Sequence, residues 1–289
     1  MDPQLIVSGV IFGLSIGSIF FLVSIGLSLC FGLMRVISLD QLLYYSLGAY
    51  VTYSTSVATG SVWLGVCAGM LAAAVASLAV ERAIFRRIYD RSATFSMITT
   101  FGILIGGIGL LKYAWGVVPR PVAMPMPSQV NVLGTDVPAY RLAVIAIAGL
   151  VYVGIWLFLH RTIVGKAIRA GIENVEAVEA LGINVSRLFT ITFIVAGLLS
   201  GLAGGLHAPL VMVDPTMGLE LLAFAFMVVI IGGLGSIKGT LVSALLVGQV
   251  VSLGSLLYAP LAQTAPFVLM LLILLVKPTG LYGSPLLKR

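Results

Sequence analysis

Long apolar runs without charge follow one another along almost the whole chain, separated by short polar or glycine-rich and proline-rich breaks. A helix needs about 20 apolar residues to cross a bilayer, so each of the two longest runs, 41–80 and 239–276, must contain two spans. The run lengths and breaks predict spans near 5–33, 42–59, 62–80, 94–112, 141–159, 188–208, 219–236, 238–257 and 262–276. The pattern therefore predicts an all-α fold: a polytopic transmembrane helix bundle with about 8–9 membrane segments in a single domain over residues 1–289.

The composition excludes an ordinary water-soluble domain. Of the 289 residues, 60% are hydrophobic and 9% are charged, against about 45–50% and about 25% in soluble domains.

The net charge of +6 does not require nucleic acid, because the basic residues cluster in short loops between the predicted spans. These clusters are Arg82, Arg86, Arg87 and Arg91; Arg161, Lys166, Arg169 and Arg187; and Lys277, Lys288 and Arg289. The positive-inside rule places all three in the cytoplasm, with the carboxy terminus inside and the amino terminus outside.

One region leaves the span count open. Glycines near 232–239 break the run from 219 to 257, which could therefore form a re-entrant pair instead of two spans. The predicted outer loop, about 116–140, holds five prolines and is expected to be extended and to lie on the surface.

The longest predicted inner loop, 165–182, has the pattern of one amphipathic helix. Its apolar residues recur at steps of three and four, and charged residues occupy the other faces. The stripe is Ile168, Ile172, Val175, Val178 and Leu181, and Gly182 is a suitable helix end. Such a helix could lie on the membrane surface, but three glutamates favour docking against a protein partner, since anionic lipid attracts lysine and arginine.

The same loop contains Glu176-Ala177, three further residues and then Leu181-Gly182. This order resembles the coupling motif of ATP-binding-cassette importer permeases. Further blocks resemble the branched-chain amino-acid permease family: Gly165-Lys-Ala-Ile-Arg-Ala, Gly182-Ile-Asn-Val-Ser-Arg, Gly232-Gly-Leu-Gly-Ser-Ile-Lys-Gly239, and Phe31-Gly-Leu-Met-Arg-Val-Ile37 followed by Leu47-Gly-Ala-Tyr50.

The resemblance implies a permease subunit of a bacterial inner (plasma) membrane that is not itself an enzyme. Two such subunits, identical or homologous, would pair; two cytoplasmic ATPase subunits would dock on the 165–182 helices; and an extracytoplasmic binding protein would deliver substrate. The residues expected to couple to the ATPase are Gly165, Arg169, Glu173, Glu176, Ala177 and Gly182. The chain has no phosphate-binding loop, because Gly235-Ser-Ile-Lys-Gly-Thr240 has its lysine and glycine in the wrong order. We therefore expect ATP to be bound by the partners, with no cofactor or metal on this chain.

The chain departs from the family after Val36-Ile37. Members usually continue with Asn-Phe-Ala-His-Gly and an acidic residue, whereas this chain has Ser38-Leu-Asp-Gln-Leu-Leu43 before two tyrosines. Breaks between spans tend to line transport pathways, so the candidate substrate-pathway residues are Asp40, Gln41, Tyr44 and Tyr45. The change leaves open branched-chain or related amino acids and small amide or carboxylate solutes. Two other interpretations remain: Asp40 at the interface or paired with Arg35, and the tyrosines in an interfacial belt.

Other function classes fit less well. An ion-coupled secondary transporter would share the spans, but it usually has ionisable residues at mid-membrane, and the sequence offers few beyond Asp40 and Glu220. An intramembrane enzyme would need clustered acids, bases or nucleophiles, which the sequence does not show. His160 and His207 are interpreted as interface residues, and Asp214 as part of a solvated turn.

Overall fold

The protein is described by a computed structural model covering residues 3–89, 91–132 and 134–283. These residues form an all-α polytopic bundle with one small hairpin. The helices are α1 Pro3–Met34, α2 Gln41–Thr59, α3 Val62–Ala83, α4 Ala93–Trp115, α5 Ala139–Arg161, α6 Ile163–Glu173, α7 Val175–Ala180, α8 Val185–His207, α9 Met217–Gly232, α10 Ile237–Leu257 and α11 Leu261–Val276, with a 3₁₀ turn at Phe85–Arg87. The strands β1 Gln129–Val132 and β2 Thr135–Pro138 pair antiparallel.

The centre of the bundle is formed by α1, α2, α3 and α8, which pack closely because small residues line their contacts. A Cβ atom on Gly204 of α8 would lie 1.9 Å from the Tyr45 carbonyl oxygen of α2. A Cβ atom on Gly48 would likewise lie 2.4 Å from the Gly201 carbonyl oxygen. Such approaches of backbone to backbone exclude any larger side chain and fix how α2 lies on α8.

Each predicted span is matched by a helix, but the helices are unequal. In the described part of the chain, six are long and apolar enough to cross a membrane: those beginning near residues 4, 62, 94, 139, 185 and 237. Two apolar helices, α9 and α11, have only 16 residues each. At ~1.5 Å per residue these two reach about 24 Å, less than the ~30 Å hydrocarbon core. The count of 8–9 membrane segments therefore stays a prediction.

The helices alternate in direction, so the bundle has two distinct ends. Gly9 of α1 lies against Leu256 of α10, and Gly32 lies against Gly235, which shows that α1 and α10 are antiparallel. We call the end where α1 terminates the basic end. It carries Arg35, Arg86, Arg87, Arg187, Lys238 and Lys277. The other end is called the far end. Lys288 and Arg289, also predicted to lie with the basic residues, are outside the described residues.

The predicted extended loop at 116–140 is correct only in part. Gln129–Val132 and Thr135–Pro138 pair as the two strands of the β1–β2 hairpin, and α5 begins at Ala139. The preceding stretch is anchored at Arg120, whose backbone N–H and C=O both pair with Val213 at 2.9 Å. These two bonds tie the loop to the α8–α9 connection at the far end.

Candidate transport pathway and coupling segment

The connection between α1 and α2 returns into the interior of the bundle. Helix α1 ends at Met34, and Arg35 has a positive φ of 54° that turns the chain back. The next helix begins deep inside, since Gln41 bonds to Ser200, which lies 15 residues (200 − 185) after the start of α8. That is about 22 Å along α8 at ~1.5 Å per residue. The stretch 35–40 is thus unwound backbone that starts at the exposed Arg35 and is largely buried from Val36 to Asp40.

Asp40 is held at the start of α2 by two hydroxyl groups. Ser38 Oγ donates to Asp40 Oδ1, and Tyr44 Oη donates to Oδ2 at 2.7 Å. All three residues are fully buried. The alternative prediction, an ion pair between Asp40 and Arg35, is wrong. Among the described residues the salt bridge found joins Arg86 and Glu81. In the described ranges no basic side chain pairs with the Asp40 carboxylate, and the positive end of the α2 dipole partly offsets its charge.

The neighbouring polar residues are also buried, so the tyrosines are not belt residues. Gln41 accepts a hydrogen bond from Ser200 Oγ at 3.0 Å and lies against Cys30 Sγ at 3.8 Å. The Tyr45 hydroxyl bonds to His207 Nδ1 at the end of α8. His207, which the sequence analysis interpreted as an interface residue, is half-buried at the end of α8 with its Nδ1 on the Tyr45 hydroxyl. The four predicted pathway residues share one buried layer between α1, α2 and α8.

A cavity of about 200 Å³ lies beside this layer, between α1, the unwound stretch and α9. Seven of its lining residues are apolar, and Ser38 is the polar exception. The lining consists of Leu27, Phe31, Ile37, Ser38, Phe226, Val229, Ile230 and Leu234. An apolar cavity of about 150 Å³ is enough for a benzene-sized ligand. This cavity therefore has room for a branched aliphatic group, and Ser38 in its lining connects it to Asp40 through their hydrogen bond.

The predicted helix 165–182 is two helices, not one. Asn174 interrupts it with extended backbone (φ −155°, ψ 105°), and its Oδ1 accepts the Ala177 N–H at 3.0 Å to cap α7. Asparagine side chains compete for backbone N–H groups in this way, which favours caps over helix interiors. The predicted helix end is correct: Gly182 has φ 79°, and the Gly182 and Ile183 N–H groups bond back to Glu179 and Val178.

The apolar stripe packs on the basic end of the bundle, except at its last position. Ile168 and Val178 are each 2% exposed, whereas Leu181 is 78% exposed. A Cβ atom on Gly171 would lie 2.5 Å from Leu33 Cδ1, so α6 rests on the last turn of α1. Of the six predicted coupling residues, Gly165 is buried against the Phe158 carbonyl at the α5–α6 turn. The other five, Arg169, Glu173, Glu176, Ala177 and Gly182, are exposed.

Beside these contacts, a groove lies between the bundle and the coupling segment, as we call residues 163–182. It has a volume of about 450 Å³ and lies between α6, α7, α8 and the α1 end. Its lining includes Arg35, Tyr89, Glu173, Asn174 and Glu176. The two predicted residue groups are therefore not in one site: they are joined through Leu33, Met34 and Arg35, which touch the groove and lead directly into the unwound stretch.

One polar cluster at this end was missed by the sequence analysis. Glu81 of α3 is fully buried and accepts from Tyr89 Oη at 2.8 Å, Thr190 Oγ1 at 3.0 Å and Arg86 Nε at 3.4 Å. These bonds join α3 to α8 near the groove. The available signal was the position of Glu81 itself, an acidic residue directly at the end of an apolar run.

The comparisons with known proteins agree with this architecture. Residues 9–276 match the family described as branched-chain amino acid transport system, permease component. The chain is 26% identical over 292 residues to the high-affinity branched-chain amino acid transport system permease protein LivH of Salmonella typhimurium, covering 94% of each chain. The corresponding permease BraD of Pseudomonas aeruginosa is 25% identical over 289 residues, again with 94% of each covered.

Two further similarities are more distant. The ribose import permease protein RbsC of Escherichia coli is 34% identical over 143 residues, 47% of this chain and 39% of that protein. The solved structure of PsaBC from Streptococcus pneumoniae in complex with Fab has a TM-score of 0.52 at 13% identity, with 97% of this chain and 95% of that chain covered, and it supports the fold alone. Taken with the match over residues 9–276, these findings show that the chain belongs to the branched-chain amino-acid permease family of ATP-binding-cassette importers.

Proposed function

We propose that this permease carries an amino acid with an aliphatic side chain, or a closely related small solute, through the layer around Asp40. The observation that carries the proposal is the 200 Å³ cavity, apolar except for Ser38, whose hydroxyl bonds to the buried Asp40. Transporters commonly bind solute near the bilayer midplane at broken helices. The aliphatic group would occupy the cavity, and Asp40, Gln41, Tyr44 and Tyr45 would supply the polar and aromatic surface beside it.

Movement would start at the coupling segment. ATPase subunits that dock on α6 and α7 would push on Arg169, Glu173, Glu176, Ala177 and Gly182, with Gly165 serving as the turn into α5. Because α6 rests on Leu33, this push reaches the last turn of α1 and the unwound stretch that follows. The proposed mechanism is alternating access, with ATP hydrolysed by the partners and no chemical step on this chain.

The arrangement also suggests an orientation and an assembly. The basic end, with Arg35, Arg86 and Arg187, would face the cytoplasm, as the positive-inside rule expects. The far end would then receive solute from an extracytoplasmic binding protein. A second permease subunit, identical or homologous, would complete the pathway.

The test is solute uptake by vesicles that contain the chain with its ATPase partner and binding protein. We expect uptake of labelled L-leucine to require ATP. Glu176→Lys should lower both uptake and copurification of the ATPase by about tenfold, as loss of a contact worth ~1.4 kcal/mol at the interface with the ATPase implies. Asp136→Lys is the matched control, since Asp136 is an exposed carboxylate on the hairpin at the far end. Uptake against a gradient without ATP would reject the proposal in favour of an ion-coupled carrier.

A further inference from the structure

A second polar cluster lies at the far end, away from the Asp40 layer. We call it the far-end cluster, and it consists of Tyr50 of α2, Arg120 of the loop after α4, and Asp214 of the α8–α9 connection. The backbone of Arg120 pairs with Val213, so Arg120 and Asp214 lie on adjoining strands of chain. Tyr50 lies beside Arg120 because Trp115 contacts both residues: its ring is 5.2 Å from the Tyr50 ring, and its carbonyl accepts a hydrogen bond from Arg120 Nη2.

Two donor atoms in this cluster are buried and have no hydrogen-bond partner among the residues that the structure describes. Tyr50 is fully buried, yet its hydroxyl makes no hydrogen bond, and Arg120 Nε is likewise buried without an acceptor. The rest of the Arg120 guanidinium is held in place, because Nη2 donates to the Trp115 carbonyl at 3.3 Å and the group lies 5.8 Å from the Tyr53 ring centre. A buried donor without an acceptor is costly, so the pair is suited to an acceptor that arrives from outside.

The carboxylate of Asp214 lies near these two donors but does not accept a hydrogen bond from either of them. Asp214 Oδ1 accepts from the Thr216 N–H and Oγ1, which fixes the carboxylate in its turn. Within the described residues no hydrogen bond reaches Asp214 Oδ2, and Arg120 and Asp214 do not form a salt bridge. The guanidinium and the carboxylate are thus placed at neighbouring positions of the paired backbone without bonding to each other.

We infer that the far-end cluster is an entry site for the charged backbone of an α-amino acid. Arg120 Nε and the Tyr50 hydroxyl bind its carboxylate, and Asp214 binds its ammonium group. Arginine and tyrosine both donate hydrogen bonds suited to carboxylate oxygens, and charge-assisted bonds of this kind are the stronger ones. The inference rests on the proposed function for its orientation, with the far end facing the binding protein.

The far-end cluster also explains how one chain recognises both the backbone and the side chain of an amino acid. The far-end cluster is polar and recognises the group that all α-amino acids share, whereas the cavity near Ser38 is apolar and reads the side chain. A solute therefore meets the shared chemistry first and the discriminating chemistry second.

The test is a binding titration on the full chain in lipid nanodiscs, with no ATP and no partner subunits. The chain has three tryptophans, and replacing Trp63 and Trp156 by phenylalanine leaves Trp115 as the reporter, 5.2 Å from the Tyr50 ring. The probes are L-leucine, leucinamide, which lacks the carboxylate, and 4-methylpentanoate, which lacks the ammonium group. We expect L-leucine to bind at least about tenfold more tightly than either analogue.

Conservative variants assign each contact. Tyr50→Phe and Arg120→Lys should each raise the Kd for L-leucine about tenfold and leave that for leucinamide unchanged, because lysine keeps the charge but loses the planar fork. Asp214→Asn should weaken L-leucine and leucinamide but not 4-methylpentanoate. Tyr113→Phe and Arg141→Lys are the matched controls, and neither should change any of the three titrations, since Tyr113 is 92% exposed and lies outside the cluster. Arg141 lies over the Phe12 ring and is not in the cluster.

Three results would overturn the inference. These are equal binding of the three probes, wild-type binding of L-leucine by both Tyr50→Phe and Arg120→Lys, or no binding of L-leucine by equilibrium dialysis as well as by fluorescence. The unpartnered atoms would then hold water only. ATP-dependent uptake is measured separately. If uptake is lost while L-leucine still binds as expected, the proposed function alone is rejected. If uptake is normal while L-leucine does not bind in the titration, the entry site alone is rejected.

Discussion

The unwound stretch with the start of α2 (residues 35–45) and the coupling segment (residues 163–182) use carboxylates in opposite ways. Asp40 is fully buried and both of its oxygens accept hydrogen bonds from neutral hydroxyls. Glu173, Glu176 and Glu179 are exposed, and in the described part of the chain none of them forms a salt bridge. A buried carboxylate depends on its protein surroundings for stability, whereas an exposed one is free to meet a partner. The first region should therefore respond to substitution through stability and solute binding, and the second through association.

The largest effect should come from the contact that positions the buried region. A Cβ atom on Gly204 would lie 1.9 Å from the Tyr45 carbonyl, while nothing lies within 4 Å of a Cβ atom on Gly149 in α5. Gly204→Val should separate α2 from α8 and cost ~3 kcal/mol or more, since overpacking against backbone cannot relax. Gly149→Val is the matched control. We expect size-exclusion chromatography to show loss of folded protein for the first variant only, and similar profiles for both would mean that α2 is not fixed by α8.

An intermediate effect is expected from Asp40 itself. Asp40→Ala would leave the Ser38 and Tyr44 hydroxyls without their acceptor, at a cost of ~1–3 kcal/mol for each unsatisfied group. Asp40→Asn keeps an acceptor and should retain most of that stability while lowering L-leucine uptake about tenfold, because the negative charge is lost. Thermal unfolding and uptake measure the two effects separately.

The matched control is Glu179→Ala, which removes an exposed carboxylate from the coupling segment. Its melting temperature should equal that of the wild type. Uptake at the wild-type rate by Asp40→Asn would remove the buried layer from the pathway, whatever its role in folding.

The sequence was sufficient where hydrophobic length or charge decides the outcome. The runs of apolar residues predicted a helix at each of nine places, and the amphipathic stripe identified the apolar face whose Ile168 and Val178 the structure buries against the bundle. The sequence also predicted a break between the first two spans, and the structure has one between Met34 and Gln41. These features are local, because each depends on residues close together in the chain.

Tertiary contacts explain what the sequence could not predict. Nothing near Asp40 in the chain reveals that α2 begins about 22 Å along α8, so a pair with Arg35 and burial beside Tyr44 were equally compatible with the pattern. The far-end cluster joins residues 50, 120 and 214, which come from three separate parts of the chain. The break at Asn174 was a local signal that the periodic stripe concealed, since the apolar positions continue across it.

The smallest predicted effect uses that break to test the exposed region. Asn174→Ala removes the α7 cap, worth ~1 kcal/mol, and alanine favours a continuous helix through the position. Because α7 has six residues and lies on the surface, global unfolding should not change. Hydrogen exchange of residues 175–180 and the ATPase activity of the assembled transporter should both change, with ATPase stimulation by solute reduced about fivefold as ~1 kcal/mol of altered docking implies. Asn131→Ala, which removes an equivalent side-chain bond from the hairpin, is the control. Unchanged ATPase stimulation in Asn174→Ala would mean that the partner binds the glutamates whatever the angle between α6 and α7. The coupling segment would then transmit force through its charge contacts and not through its shape.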